Sequence, residues 1–176
     1  FEANRVHAAA LVVQDYSHHY SHWDALQSLG AWLEQEGVPA ISGVDTRALT
    51  KLIRSAGALK GRIEVEGEEP LPFSDPNDRN LVAEVSTSAT TVYNKGGDVK
   101  VLAVDCGMKH AIVRQLVARG AEVTVVPWDH AFAAELDGFD GLFLSNGPGD
   151  PTRCEATIGQ LREALGHDAP KPIFGI

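Results

Sequence analysis

The sequence has 176 residues, of which 44% are hydrophobic and 22% charged, a composition typical of a soluble globular protein with one or two domains. Its 15 basic and 24 acidic side chains give a formal net charge of −9, which repels nucleic-acid phosphates and anionic lipids. No apolar run approaches the roughly 20 residues of a membrane helix, and no signal-peptide pattern opens the chain. Nucleic-acid and membrane-surface binding are therefore disfavoured.

The two cysteines, Cys106 and Cys154, stand far apart without a CxxC spacing. This spacing fits neither a disulfide framework nor a zinc knuckle, so it favours a reducing, cytoplasmic location. The sole methionine is Met108, and the sequence stops inside the apolar run 172–176. We expect both ends to be cut from a longer chain.

The first 65 residues combine a strand with two helices. Val6 to Val13 is a mostly apolar run that predicts a buried strand. Ser21 and Asp24 resemble a capping box, and helically spaced apolar residues follow until Gly37. Those apolar residues are Trp23, Leu26, Leu29 and Leu33.

A second helix is predicted after the short segment Val38 to Ile41. Asp45 can cap it, Gly57 can close it, and an apolar stripe lies between them. The stripe consists of Ala48, Leu49, Leu52, Ile53 and Ala56. Residues 1–65 therefore predict a small N-terminal α/β lobe.

Residues 66–98 carry three prolines, acidic residues and the run Asn94 to Gly97, which together interrupt every periodic signal. We interpret this stretch as an interdomain connection. Leu81 to Val85, in its middle, predicts a short strand.

From residue 99 to residue 176 the pattern alternates between strand and helix, which is typical of an open parallel sheet with helices on its faces. Strands are predicted at Val99 to Val104, Ala121 to Val126, Phe139 to Leu144 and Pro172 to Ile176. One predicted helix carries Ile112, Val113, Leu116 and Val117 and ends at Gly120; a second carries Ile158, Leu161 and Leu165. The fold class is α/β, with this second domain truncated.

Ligands of open parallel sheets bind beyond the carboxyl ends of the strands. The loop from Asn146 to Pro151 lies at such an end, as does the turn Asp105 to Gly107. Gly147 and Gly149 lack a Cβ, so they can take positive φ and bring backbone N–H groups against a ligand. Such a loop can cradle an anion or oxyanion, although a plain tight turn has the same pattern.

The run LFLSNGPGDP at 142–151, followed after a helix by PIFGI at 172–176, resembles class I glutamine amidotransferases, specifically the small subunit or glutaminase domain of carbamoyl-phosphate synthetase. The resemblance extends over VDCGMK at 104–109, RGAEV at 119–123, VPWDH at 126–130 and GVDTRALT at 43–50. Residues 71–77 and 21–23 are similar to the fused eukaryotic version of pyrimidine synthesis. A free-standing bacterial subunit stays an alternative.

The resemblance implies that a cysteine attacks the amide of glutamine with the help of a histidine and a glutamate. All three are expected after Ile176, so no catalytic residue is expected within the chain, and the isolated chain is expected to be inactive. Gly147 and Gly149 are expected to bind glutamine, with the Gly147 N–H holding the oxyanion. A bulkier residue at 147 is then expected to slow turnover and leave the fold largely intact.

Ammonia is expected to pass to the large subunit or fused synthetase domain, which uses bicarbonate, ATP and Mg²⁺ and against which residues 1–65 dock. The product would serve pyrimidine or arginine biosynthesis. This chain has no GxxxxGK[ST] loop, and no cofactor or metal is expected in it. A docking or regulatory domain without catalysis is the alternative. A different class I amidotransferase is disfavoured, because the domain Val6 to Val65 would have no place in one.

Several other features predict no chemistry. His18, His19 and His22 precede a helix cap without a carboxylate or cysteine at ligand spacing, which favours a solvated loop. Cys106 is predicted to be a buried, inert thiol. The tryptophans Trp23, Trp32 and Trp128 are predicted to lie in the core or at domain contacts, and the Asp129–His130 pair is predicted to be an ordinary loop.

Overall fold

The computed structural model describes residues 2–166 and 171–176. These residues form two compact units, one of Ala3–Ser74 and one of Glu2 with Asp75–Ile176. The division lies between Ser74 and Asp75, inside the stretch 66–98 that we interpret as a connection. The domain limits 1–65, 66–98 and 99–176 stay predictions.

The first unit is the small α/β lobe that the sequence predicts. It contains a parallel pair of short strands and two helices: β1 (Leu11–Val12), α1 (Leu29–Gln35), β2 (Ala40–Ile41) and α2 (Thr46–Ala56). The second helix is confirmed with its caps, since the Asp45 carboxylate accepts the N–H of Ala48 at 2.9 Å and Gly57 follows the last turn.

Two predictions in this unit are wrong in extent. The strand predicted over Val6 to Val13 is reduced to two residues, because only Leu11 and Val12 pair with β2. Helix α1 starts at Leu29 rather than beside Ser21, with Ser28 as the N-cap whose Oγ accepts the N–H of Ala31 at 3.1 Å.

The residues before α1 form a turn because nothing buries their apolar side chains. The N–H of Ala25 bonds the His22 carbonyl at 3.0 Å, while Trp23 is 90% and Leu26 81% exposed. A short helix in water depends on packing of its apolar face, so helical spacing alone did not extend α1. Of the two places predicted for Trp23, the core is therefore wrong, and a domain contact stays a prediction.

The second unit is an open α/β sheet with helices on both faces. Its elements are α3 (Leu81–Val85), β3 (Thr91–Tyr93), β4 (Val99–Asp105), α4 (His110–Val117), β5 (Ala121–Pro127), β6 (Gly141–Leu144), α5 (Glu155–Leu165) and β7 (Ile173–Gly175). Three short 3₁₀ turns, Pro76–Asp78, Ala133–Gly138 and Pro151–Arg153, join them. The strand order is β3-β5-β4-β6-β7, with β3 antiparallel to β5 and the other neighbours parallel. The predicted α/β class and its parallel strands are confirmed.

The stretch 66–98 contains a helix, α3, and a strand, β3, and the sequence predicted neither of them. Leu81–Val85 is a helix and not the predicted strand: Asn80 caps it by accepting the N–H of Ala83 at 3.1 Å, and Val82 is buried in the core. Strand β3 is an edge strand that the sequence pattern did not indicate. Both elements depend on contacts with the sheet of the second unit.

The alternation of side chains along β4 divides the core into two layers. Leu102 and Val104 face one side of the sheet. They pack there with Leu142 of β6, with Phe132, and with Ala164 of α5. Ala103 faces the other side with Val123, Val125 and Phe143, against the apolar stripe of α4. Helices thus pack on both faces of the sheet, while the Phe174 side chain of β7 is 63% exposed.

Candidate functional site

The carboxyl ends of β4, β6 and β7 meet at one edge of the sheet. Leu144 pairs with Gly175, and the N–H of Ile176 donates to the Leu144 carbonyl at 3.2 Å. The loop from Asn146 to Pro151 begins directly after β6, so it leaves the sheet beside the end of β7. This is the edge at which open parallel sheets bind ligands.

Ser145 connects this loop to the turn after β4. Its side chain is buried, and its hydroxyl accepts the N–H of Cys106 at 2.9 Å while donating to the carbonyl of Asn146, also at 2.9 Å. Its own N–H donates to the Val104 carbonyl at 3.2 Å. The hydroxyl therefore joins two loops that are far apart in sequence.

Gly147 lies against the backbone of Cys106. A Cβ placed on Gly147 would overlap the Cys106 carbonyl oxygen, would lie 2.9 Å from the carbonyl carbon, and would lie 3.1 Å from Cγ2 of Val82. Its φ is not positive, so close approach rather than φ requires glycine here. The expectation that a bulkier residue at 147 leaves the fold largely intact is therefore wrong.

Gly149 has a φ of +79°, the left-handed conformation that favours glycine. A Cβ there would contact Leu81 Cδ1 at 3.3 Å. Gly147 and Gly149 are both exposed, and within residues 2–166 and 171–176 neither N–H donates a hydrogen bond. Two backbone donors at the ligand-binding edge are thus open to solvent.

The far side of the loop is closed by a 3₁₀ turn. Asp150 caps it by accepting the N–H of Thr152 at 2.9 Å, and this hydrogen bond lowers the pKa of the Asp150 carboxyl. Pro151 occupies the first position of the turn, where its missing N–H is not needed. Asp150 and Pro151 therefore fix where the glycine loop ends.

Asp105 organises the turn after β4, a role that our sequence analysis missed. One carboxylate oxygen accepts the N–H groups of Gly107 at 2.9 Å and Met108 at 2.6 Å, and the other accepts that of Thr87 at 2.9 Å. Gly107 in turn packs on Pro148, since a Cβ on it would lie 3.0 Å from Pro148 Cδ. An Asp followed by Gly at a strand end is a turn signal that could have indicated the local bonds.

Cys106 is buried, as predicted, and its chemistry is unsuited to nucleophilic attack. Burial raises the pKa of the Cys106 thiol to about 11, and the neighbouring Cys154 adds to the rise. The thiolate is the reactive form, and at neutral pH it is scarce at such a pKa. Cys106 therefore acts as a packing residue at the edge of the site.

We expect the Cys106 thiol to resist alkylation in the folded chain. Because its folded pKa of about 11 lies above the ordinary value of 9.0, its thiolate fraction at pH 8 falls about 100-fold on folding. The stability that the neutral thiol contributes is complete below about pH 9 and is lost as the pH rises through 11. Iodoacetamide labelling of a Cys154→Ser variant, folded and in urea, measures this; equal rates would contradict it.

The histidines singled out in the sequence show no metal-ligand arrangement. His18, His19 and His22 are exposed, and His130 contacts Glu135 at 3.2 Å. Across residues 2–166 and 171–176, no group of three or more His, Cys, Asp or Glu side chains is arranged to hold a metal ion. In the same residues no helix is both long and apolar enough to cross a membrane.

Two parts of the chain match known protein families. Residues 102–176, which contain the glycine loop, match the family described as "Glutamine amidotransferase class-I". Residues 1–63 match "Carbamoyl-phosphate synthase small chain, CPSase domain". These matches assign residues 1–63 to the CPSase domain of carbamoyl-phosphate synthase small chains and residues 102–176 to the class I glutamine amidotransferases.

Individual relatives agree along the whole chain. It is 51% identical to "Multifunctional protein CAD" of Squalus acanthias, covering 100% of this chain and 8% of that protein. It is 51% identical to "Carbamoyl-phosphate synthase [ammonia], mitochondrial" of Homo sapiens, covering 99% of this chain and 12% of that protein. It is 44% identical to "Carbamoyl phosphate synthase arginine-specific small chain" of Saccharomyces cerevisiae, covering 100% of this chain and 44% of that protein. The chain thus spans less than half the length of these relatives.

Among solved structures, the chain is similar to a protein from Thermoplasma acidophilum described as a "putative gmp synthase" component. The identity is 32% and the TM-score 0.37, over 44% of this chain and 39% of that one.

Proposed function

We propose that the protein containing this chain hydrolyses glutamine and supplies the ammonia for carbamoyl-phosphate synthesis. The observation that carries the proposal is the glycine loop, which leaves the carboxyl end of β6 beside β7. In this loop Gly147 and Gly149 are exposed, and within the described residues neither N–H donates a hydrogen bond. Two relatives that match over the full length of this chain support it, one named "Multifunctional protein CAD" and the other "Carbamoyl phosphate synthase arginine-specific small chain". The carbamoyl phosphate would enter pyrimidine or arginine biosynthesis.

In this proposal the two glycines bind the substrate. The Gly147 N–H donates to the oxyanion that forms when a cysteine attacks the amide carbon of glutamine, and Gly149 lines the same pocket. The nucleophile is not Cys106, whose buried thiol stays protonated at neutral pH. Loss of one oxyanion donor lowers turnover by about 10²- to 10³-fold.

The proposed partner is a synthetase large chain or a synthetase domain fused to this one. It would use bicarbonate, ATP and Mg²⁺, and the first unit would dock against it. A cytoplasmic location stays part of the proposal, although some relatives are named mitochondrial. Fused and separate arrangements are both represented among the names of the relatives.

A second candidate is a docking or regulatory domain that does not hydrolyse glutamine. Four relatives that are 49–52% identical to the chain carry "[ammonia]" in their names, which indicates free ammonia as their nitrogen source. The glycine loop would then be retained for packing, a role that the close contact between Gly147 and Cys106 also supports.

Activity of the full-length protein separates the two candidates. With ATP, Mg²⁺ and bicarbonate, we expect glutamine to support carbamoyl-phosphate formation with release of glutamate, and ammonium to support it independently. A Cys106→Ser variant should keep the glutamine-dependent rate, since this cysteine is not the nucleophile. Synthesis from ammonium with no glutamate release from glutamine would reject glutamine hydrolysis and favour the second candidate.

A further inference from the structure

We propose that Ser145 is a positioning residue that aims the N–H of Gly147, an inference that rests on the proposed glutamine hydrolysis. Ser145 is the last residue after β6 whose N–H is held by the sheet, through the Val104 carbonyl. The glycine loop begins at the next residue. Ser145 is therefore placed where the orientation of the loop is decided.

The peptide group between Asn146 and Gly147 links the serine hydroxyl to the direction of the Gly147 N–H. The Ser145 hydroxyl donates to the carbonyl oxygen of Asn146 at 2.9 Å. That carbonyl and the N–H of Gly147 belong to the same planar unit, which is trans, since the described chain contains no cis peptide. In a trans peptide the C=O and N–H point in opposite directions. Holding the Asn146 carbonyl on the serine therefore directs the Gly147 N–H away from it.

The hydroxyl is itself held in place. It accepts the N–H of Cys106 at 2.9 Å, so its proton is left to point at the Asn146 carbonyl. Cys106 belongs to the turn that Asp105 fixes, and its carbonyl packs against Gly147 from the other side. The Asn146–Gly147 peptide is thus held by a hydrogen bond at one end and by steric contact at the other.

Glycine makes this support necessary. A peptide group next to a glycine meets little steric resistance to rotation, because glycine allows conformations that a Cβ would forbid. Without the serine hydroxyl, the Asn146 carbonyl loses its partner and the Gly147 N–H can turn away from the reacting carbonyl. The substrate would still bind, but the transition state would lose a directed donor.

Steady-state kinetics of the full-length protein tests this inference with three variants. We expect Ser145→Ala to lower kcat for glutamine hydrolysis by about 10- to 100-fold, below the complete loss of an oxyanion donor, with KM nearly unchanged. Ser145→Thr, which keeps the hydroxyl, should recover most of kcat. Ser86→Ala removes another bridging hydroxyl, which accepts the Trp128 N–H at 3.0 Å, and should leave kcat nearly unchanged. Synthesis from ammonium should stay close to wild type in all three.

Several outcomes would overturn the inference. They are wild-type kcat in Ser145→Ala, equal losses in the alanine and threonine variants, equal losses in Ser145→Ala and Ser86→Ala, and a parallel loss of ammonium-dependent synthesis. If the wild type hydrolyses no glutamine, the proposed function fails instead. A crystal structure of Ser145→Ala then tests the positioning alone: a rotated Asn146–Gly147 peptide supports it, and an unchanged peptide rejects it.

Discussion

Replacing Gly147 with alanine should destabilise the second unit by about 1–3 kcal/mol, the range of overpacked sites. The added Cβ would overlap the carbonyl oxygen of Cys106, a backbone atom that Asp105 and Ser145 hold in place through the hydrogen bonds of their turn. Neither strand end can retreat easily, because β4 and β6 pair along their length. Urea unfolding measures the loss in a Trp23→Phe, Trp32→Phe background, in which Trp128 is the remaining tryptophan and its fluorescence reports the second unit.

Gly159→Ala is the matched control. Gly159 lies inside α5, and a Cβ built on it meets no atom within 4 Å. Alanine removes the entropic disadvantage of a helical glycine, so we expect this variant to gain about 0.5–1 kcal/mol. If Gly147→Ala proved as stable as wild type, the close approach of the two loops would be absent in solution.

This contact changes how the oxyanion assignment has to be tested. A substitution at 147 alters the packing of two loops together with the position of the N–H, so lost activity in such a variant has two causes. Ser145 offers a cleaner route, because its variants change the support of the Asn146–Gly147 peptide and leave both glycines in place. The assignment of Gly147 and Gly149 to substrate binding stays a prediction until such kinetics are measured.

Local sequence signals predicted the elements whose stability is local. Helix α2 was predicted with both caps, because Asp45 and Gly57 bracket one apolar stripe. Strands β4 and β5 were predicted from the valine-rich segments Val99 to Val104 and Ala121 to Val126, within an alternation of strand and helix. Each of these signals is complete within about a dozen residues.

The missed elements depend on contacts that are distant in sequence. Leu81–Val85 is rich in valine and leucine, which suits a strand, but the Asn80 cap and the burial of Val82 favour a helix there. Strand β3 is short and exposed, and exists through its antiparallel pairing with β5. No pattern within either segment carries this information.

In the candidate site, too, local features could be predicted from the sequence and contacts distant in sequence could not. The glycine loop could be found from its residues and its position after a strand, and the family resemblance assigned it a role. The hydrogen bond between Ser145 and Cys106 joins residues 39 positions apart, and the one between Asp105 and Thr87 joins residues 18 apart. Only the register of β4 beside β6 brings the first pair together.

The carboxylate of Asp105 is expected to matter at least as much to stability as the glycine contact. It accepts three backbone N–H groups, of Gly107, Met108 and Thr87, at distances of 2.6–2.9 Å. Hydrogen bonds to a charged group contribute about 1.5–3 kcal/mol each, but Asp105 is half-buried, so water can replace part of them. We expect Asp105→Ala to lose about 3 kcal/mol in urea unfolding.

Asp105→Asn separates the two oxygens of this carboxylate. The amide oxygen can still accept the N–H groups of Gly107 and Met108, whereas the NH₂ group would face the N–H of Thr87. The loss should therefore be about half that of the alanine variant. Asp140→Ala is the control, since its exposed carboxylate accepts one N–H, of Lys100 at 2.8 Å, and should lose about 1 kcal/mol or less. Equal effects of the alanine substitutions at 105 and 140 would show that the three bonds do not act together, and the turn would then be held mainly by the packing of Gly107 on Pro148.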